Sequence, residues 1–206
     1  RWFDHNDRGL LWKVSASTTG TKPGAADVTY LYRPSGEIES RQFAGGPVVP
    51  VRYSIREQVE RIGDPTTTTY PFSARYGYHP NGLDSEGEFY SAGTPATAKR
   101  YRYLYPTYDA LNRLKAADYS PWSGSAWTST LAHDLAGINY DVAGNLAALQ
   151  RYRETGTLID SLTYSYPAVG VSNRLSSLAD AAGATAETWD AEAGSFTYDA
   201  NGNMLT

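Results

Sequence analysis

The chain has 206 residues, of which 41% are hydrophobic, so it can bury a sizeable core as one domain or as two small ones. Its net charge is -4, and Lys and Arg are scattered along the sequence, which gives no basic patch for nucleic acid or an anionic membrane. It has no Cys, which excludes disulfides and thiolate chemistry. The 17 tyrosines favour pleated strands over helices, and we expect an all-β fold.

The first residues, Arg1-Trp2-Phe3-Asp4, do not have the pattern of a signal peptide. No apolar run approaches the roughly 20 residues that a membrane-spanning helix needs. The sequence therefore predicts no membrane span, and any export signal is expected to lie outside this sequence.

A seven-residue pattern recurs along the chain, with an aromatic anchor first, Asp second, Gly fifth and an apolar residue seventh. The anchors are twenty to thirty-odd residues apart, which is room for two strands and two connections. In chain order, the proposed copies are Phe3 to Arg8, Tyr32 to Ile38, Tyr53 to Val59, Tyr78 to Gly82, Tyr108 to Leu114, Tyr140 to Leu146, Tyr166 with Asn173 to Leu175, and Tyr198 to Met204.

The copy from Tyr140 to Leu146 predicts a tight β-hairpin. An Asp at the first position of a type I turn accepts hydrogen bonds from nearby backbone, and Gly144 can take positive φ without steric cost. Residues 142–144 would form a loop closed by a Gly bulge, with Asp141 facing Asn145 across the ladder. Tyr140 and Leu146 would form the next pair on the opposite face.

The three clearest copies supply the residues to which we assign a role, and that role is structural. Their anchors, turn residues and apolar partners are expected to form repeated corners, with no catalytic, cofactor or metal function. They are Tyr108, Asp109, Asn112 and Leu114; Tyr140, Asp141, Gly144 and Leu146; and Tyr198, Asp199, Gly202 and Met204.

Two stretches also fit helices. Ile55, Val59 and Ile62 have helical spacing within 54–62, but the same stretch fits a period of two and lies in frame with the other hairpins, which favours a strand. A short helix could form from Ala181 to Glu192, where Ala is dense, although Gly183 within the stretch and Gly194 just after it weaken it.

Clusters of Gly, Pro, Ser and Thr mark the return loops, and none has the composition of an interdomain linker. Residues 1–206 are therefore interpreted as one repeat region in which antiparallel hairpins lie side by side in a twisted, curling sheet. The terminal strands of such a sheet have unpaired backbone, which Trp2, Phe3 and Trp12 could cover at one end.

The pattern Tyr-Asp-x-x-Gly-Asn/Arg-Leu resembles the RHS or YD repeat family, and the copies at Tyr140 and Tyr198 match it closely. That family includes bacterial polymorphic toxins, the B and C components of insecticidal toxin complexes, and teneurin adhesion proteins. The resemblance implies a β-sheet that spirals into a hollow shell, and in the toxins the shell encloses a toxin domain. It also implies a secreted or cell-surface location in bacteria.

The toxins of this family also resemble one another in a paired Asp-Pro-x-Gly signature at an aspartate self-cleavage site. Here the sole Asp-Pro, Asp64-Pro65, is followed by Thr66 and Thr67, so no self-cleaving residues are carried over. The sequence stops in mid-hairpin at Thr206 and is interpreted as a fragment of a longer array.

Other chemistry has weaker support in the sequence. Asp199 to Asn203 superficially resembles a calcium loop but supplies no acid that could bind in bidentate fashion near its end. His5, His79 and His133 lie in different copies without metal-site spacing, and no nucleophile elbow or phosphate loop accompanies Asp134. We expect no enzyme activity and no cofactor.

The expected function is a structural segment of a secreted toxin shell. Its expected partners are flanking RHS repeats or a second shell-forming chain, together with an enclosed toxin domain. The alternative is a carbohydrate-binding or adhesion surface built on exposed rings, either Trp122 and Trp127 or the tyrosines two residues before anchors, Tyr30, Tyr76 and Tyr164. Burial of these rings in packed ladders would favour the shell.

Overall fold

The computed structural model describes residues 1–92, 99–167, 172–182 and 194–205. In these ranges the regular secondary structure is all β, and the strands form two antiparallel sheets. The strands are β1 Trp2–His5, β2 Leu11–Ser15, β3 Val28–Tyr32, β4 Ile38–Phe43, β5 Val48–Tyr53, β6 Val59–Ile62, β7 Phe72–Tyr78, β8 Asp84–Ser91, β9 Lys99–Leu104, β10 Asp118–Pro121, β11 Leu135–Tyr140, β12 Leu146–Tyr152, β13 Leu158–Ser165, β14 Ser177–Asp180 and β15 Gly194–Ser195. The predicted all-β fold is confirmed.

Strand order follows chain order in both sheets. The first sheet runs from β1 to β10 and the second from β11 to β15, with each strand hydrogen-bonded to its neighbours in sequence. By contacts, the chain divides into two compact units, Arg1–Tyr101 and Arg102–Thr206. A sheet built in chain order requires only short connections between successive strands, as expected when each hairpin folds beside the previous one.

The two faces of the first sheet differ in polarity across strands β5 to β8. Register places Val51, Ile62, Ala74 and Phe89 in one row. The adjacent row, which points to the other face because side chains alternate along a strand, holds Arg52, Arg61, Arg75 and Glu88. One face of this unit is therefore apolar and the other is charged.

The second sheet mixes polar and apolar pairs on one face. Leu149 lies opposite Leu162, and two residues further along, on the same face, Arg151 pairs with Asp160 as an ion pair. Every residue of β12 is half-buried. The clear separation of polarity therefore belongs to strands β5 to β8 of the first sheet.

A buried carboxylate joins three strands of the first unit. Glu88 on β8 is fully buried, and its oxygens lie 2.8 Å from Arg75 Nη2 on β7 and 2.6 Å from Arg100 Nη2 on β9. A buried charge is tolerated when paired on both sides, and removing its partner is strongly destabilising. This triad links β7, β8 and β9 through their side chains.

The stretch for which helix and strand competed forms a hairpin. Ser54 to Glu57 make the turn between β5 and β6, and Val59 to Ile62 form β6. The strand that the repeat frame predicts is therefore present, and the helix that the apolar spacing would allow is not formed at this stretch. Of the second helix candidate, residues 183–192 lie outside the described residues, and Ala181 and Ala182 form a bend after β14.

Candidate functional site

The turn at Tyr140 has the geometry of a three-residue loop closed by a Gly bulge. Asp141 N–H donates to the Asn145 carbonyl at 2.9 Å, Gly144 N–H donates to the Asp141 carbonyl at 3.1 Å, and Gly144 has a φ of 90°. Tyr140 pairs with Leu146 as the outer pair. Positive φ is the conformation that Gly adopts at no steric cost.

The Asp side chain organises this turn. Asp141 Oδ1 accepts the backbone N–H groups of Ala143 at 2.9 Å and Asn145 at 2.8 Å, and Oδ2 accepts Asn145 Nδ2 at 2.9 Å. These hydrogen bonds, with that from the Asn145 side chain the largest, hold the pKa of Asp141 below its usual 3.8. The carboxylate therefore stabilises the turn by accepting hydrogen bonds within it.

The other two clear copies repeat this arrangement. Asp109 accepts hydrogen bonds from the backbone N–H groups of Leu111 and Arg113, and Arg113 Nε donates a further bond to its Oδ2 at 2.7 Å. Asp199 likewise accepts hydrogen bonds from the backbone N–H groups of Asn201 and Asn203, and Asn203 Nδ2 donates a further bond to its Oδ2 at 2.8 Å. Tyr108 pairs with Leu114, and Tyr198 pairs with Met204.

Residues at the fifth position take positive φ whether or not they are Gly. Gly202 has a φ of 87°, Asn112 of 63° and Glu57 of 59°. Asn tolerates this region because its short side chain can hydrogen-bond locally, whereas Glu57 has no such compensation. The geometry of the turn thus persists where the residue that favours it is replaced.

The first copy lies two residues later than the sequence placed it. The anchor is His5, which pairs with Leu11, and Asn6 replaces Asp by accepting the N–H groups of Arg8 and Leu10 at 3.0 Å each. A further copy was missed between β12 and β13. There Tyr152 pairs with Leu158, and Gly156 takes a φ of 78°.

Six anchor tyrosines donate their hydroxyls to the copy before them. The acceptor is always the backbone carbonyl of the seventh residue. In the first unit the bonds are Tyr32 to Leu11 at 2.6 Å, Tyr53 to Ile38 at 2.9 Å and Tyr78 to Val59 at 2.6 Å. In the second unit they are Tyr140 to Leu114 at 3.0 Å, Tyr166 to Leu146 at 2.9 Å and Tyr198 to Leu175 at 2.9 Å.

Side chains of each copy also reach forward to the next turn. Arg56 Nη1 donates to the Pro80 carbonyl at 2.6 Å, and Gln58 Nε2 donates to the Gly82 carbonyl at 2.9 Å. In the second unit, Arg113 lies 4.4 Å over the Tyr140 ring, and Asn145 Nδ2 donates to the Ser172 carbonyl at 2.8 Å. We call these reciprocal contacts between successive copies the turn ladder.

Burial favours the protonated form of three donors of the turn ladder. It raises the pKa values of the Tyr53, Tyr78 and Tyr166 hydroxyls, because a phenolate is disfavoured away from water. These three hydroxyls therefore remain donors well above neutral pH. Anchor tyrosines are structural clamps in this arrangement.

The rings considered for carbohydrate recognition are partly packed. Trp122 and Trp127 contact each other edge to face at 5.1 Å and are half-buried, and Arg102 lies 4.6 Å over Trp127. Tyr76 meets Phe89 edge to face at 6.0 Å. Tyr30 and Tyr164 are half-buried on their strands.

One concave surface in the first unit lies between two successive turns. A pocket of about 300 Å³ between the third and fourth copies is lined by residues including Gln58, Glu60, Tyr76 and Pro80. The three His residues do not converge: His5 and His79 lie in different turns, and His133 packs on Tyr119 at 5.1 Å. Within the described ranges, no three His, Asp or Glu residues could hold a metal ion together.

No protein-family model and no curated protein matches this chain. The resemblance to RHS or YD repeats therefore depends on the repeated turns alone. The described part of the chain contains no helix that is long and apolar enough to cross a membrane.

Proposed function

We propose that this chain is a structural segment of an RHS or YD-repeat shell, a wall that encloses and shields a toxin domain and performs no chemistry itself. The turn ladder carries the proposal. It joins successive hairpins at one edge by contacts of fixed direction, which is how a repeat array gains length without a separate core for each copy.

The division of polarity between the two sheet faces supports the same function. A wall needs one face suited to solvent and another suited to a protein surface. The charged row at Arg52, Arg61 and Arg75 and the apolar row at Val51, Ile62 and Ala74 lie on opposite faces of the same strands. The anchor side chains of the ladder are bonded to backbone carbonyls, which fits a structural role for them.

Imaging by electron microscopy of the complete secreted polypeptide tests the proposal. We expect a hollow particle with protein density inside, and an enclosed domain that resists protease until the shell is unfolded. An open, extended sheet with nothing enclosed, or an inner domain cleaved as fast as free protein, contradicts the shell.

A carbohydrate-binding surface is the second candidate, and one observation favours it: Trp122 and Trp127 pair with each other on an isolated bridge and remain partly exposed. A glycan array separates the two functions. Saturable binding that is lost in Trp122→Ala and Trp127→Ala variants of unchanged stability supports carbohydrate recognition. The absence of binding counts against recognition and favours the structural function in a shell.

A further inference from the structure

A cross-strand pair recurs just outside the turns, where a β-bulge shifts the register by one residue. In the first copy this pair is Asp4 with Lys13. In the copy at Tyr152 it is Arg151 with Asp160, which form an ion pair. Both pairs bring opposite charges together, which is favourable directly across a ladder.

The copy at Tyr53 has two arginines at the same position. Arg52 on β5 lies opposite Arg61 on β6, and Arg61 lies opposite Arg75 on β7. Like charges directly opposite each other in a ladder are destabilising. Neighbouring strands are about 5 Å apart, so the three Cα atoms lie within about 10 Å of one another. The row therefore concentrates three guanidinium groups.

Part of this charge has no counter-ion within the described residues. Arg52 is exposed, and no described residue forms an ion pair or hydrogen bond with its side chain. Arg61 donates through Nη1 to Asp64 Oδ2 at 3.1 Å. A guanidinium group carries five N–H donors, and Nε and Nη2 of Arg61 have no acceptor among the described residues. Both side chains therefore have donors left for a ligand.

A pocket of about 160 Å³ lies at this row. It is lined by Arg52, Arg61 and Arg75 together with Glu60 and Tyr76. Glu60 is the extra residue of the bulge, so Glu60 and Arg61 together oppose Arg52. The lining therefore holds three cations and one anion, in a protein whose net charge is -4. An anion that binds here is attracted by the local charge and not by the charge of the whole protein.

We propose that Arg52 and Arg61 form a binding site for a tetrahedral oxyanion, a phosphate or sulfate group. Each guanidinium presents paired N–H donors that match two oxygens of such a group. Two of these donor pairs from neighbouring strands use up to four oxygens, more than a single carboxylate has. Arg75, which is paired with Glu88 at 2.8 Å, forms the side of the pocket. The site does not depend on whether the protein encloses a domain.

NMR titration of the whole chain with inorganic phosphate, and separately with inorganic sulfate, tests the site. Sodium chloride at the same ionic strength is the reference, because it screens exposed charges equally. We expect saturable shifts of the Arg52 and Arg61 side-chain signals, with dissociation constants in the millimolar range. Tighter binding of one anion supports the site and identifies the group that its ligand carries. Shifts that sodium chloride reproduces would overturn the proposal.

Three substitutions locate the binding. Arg52→Gln should weaken it at least tenfold, and it should fold like the parent because this side chain has no described partner to lose. Glu60→Gln removes the acid from the pocket lining and should tighten binding about threefold. Arg1→Gln is the matched control, since it removes the same charge from an exposed arginine beside β1, which three strands separate from β5. Equal weakening by Arg52→Gln and Arg1→Gln would show general attraction and would contradict a site.

Thermal denaturation gives a second readout. A ligand that binds the folded state raises the melting temperature. Phosphate and sulfate also stabilise proteins by exclusion from their surface, so the comparison between parent and variant decides. Both anions should raise the melting temperature of the parent more than that of Arg52→Gln. An equal rise in the two proteins would leave only the exclusion effect and would refute the site.

Discussion

The Tyr140 hydroxyl donates a 3.0 Å hydrogen bond to the Leu114 carbonyl, across 26 residues of sequence. Removal of this hydroxyl leaves a half-buried carbonyl without its partner, which costs about 1 kcal/mol. Tyr140→Phe should therefore lower the free energy of unfolding by about that amount, as measured by urea denaturation. Tyr152→Phe is the control, and we expect a change within about 0.5 kcal/mol. Equal losses would show that the ring, and not the hydroxyl, carries the effect.

Gly144 has a φ of 90°, which a β-branched residue adopts only with strain. Gly144→Val should destabilise the protein by about 1 kcal/mol or more. Space is not the reason, because the nearest atom to an added Cβ is Arg113 Nη1 at 3.7 Å. Gly24→Val, at a position without positive φ and with open space, should leave the stability close to that of the parent. Thermal denaturation of both variants measures the difference. Equal stability of the two variants would argue against the bulged turn.

Asp141 should make stability depend on pH in the acid range. Its folded pKa lies below the usual 3.8, so its carboxylate stabilises the fold at pH values above 3.8. That contribution is lost as pH falls through the folded pKa. Asp141→Asn should have a flatter dependence of unfolding free energy on pH below about pH 5. Parallel curves for the two proteins would exclude this role.

Asp134 should have the opposite dependence. It is buried, and burial raises its pKa, to which the charge of Asp118 adds, while the Tyr119 N–H bond at 2.7 Å opposes the shift. The folded state then binds the proton more tightly than the unfolded state, so the cost of the charge disappears as pH falls through the folded pKa. Asp134→Asn should be more stable than the parent at pH 7, and the difference should shrink as the pH is lowered. A difference that grows on acidification would contradict the burial effect.

Glu88 should be the most sensitive charged residue of the first unit. Glu88→Gln leaves Arg75 and Arg100 without their shared carboxylate, and we expect a loss of about 3 kcal/mol in the free energy of unfolding. Glu86→Gln is the matched control on the same strand, since Glu86 lies 3.4 Å from the partly exposed Arg75. Its loss should be under about 1 kcal/mol. Similar losses for Glu88→Gln and Glu86→Gln would show that the ion pairs of Glu88 contribute no more than a surface ion pair does.

Local turn chemistry was predictable from sequence because it depends on neighbouring residues. Asp141, Gly144 and Asn145 interact within one loop, so the pairing of Tyr140 with Leu146 follows from the seven-residue pattern alone. The strand at Val59 was also predictable, because its frame matched the other copies.

The copy at Tyr152 had a visible signal, Gly156 followed two residues later by Leu158. It was overlooked because it lacks Asp and lies only 12 residues after Tyr140. The offset of the first copy has a similar cause, since Asn6 accepts the backbone N–H groups that Asp accepts elsewhere, and His5 stands at the anchor position in place of Tyr. Replacement of the two most recognisable residues concealed the pattern.

Contacts between copies could not be predicted, because they depend on how far one turn lies from the next. Nothing in the sequence near Leu114 indicates that its carbonyl accepts from Tyr140. The burial of Glu88 is likewise a result of register, which brings Arg75 opposite it on the neighbouring strand.

In the first unit, the ladder holds the hairpins at one edge of the sheet and leaves the connections 16–27, 44–47 and 63–71 at the other. We expect insertions and deletions at that second edge to leave the hydrogen bonds of the turn ladder in place. Foreign peptides could therefore be displayed there, for example between Gly20 and Gly24, while the register of the array is preserved.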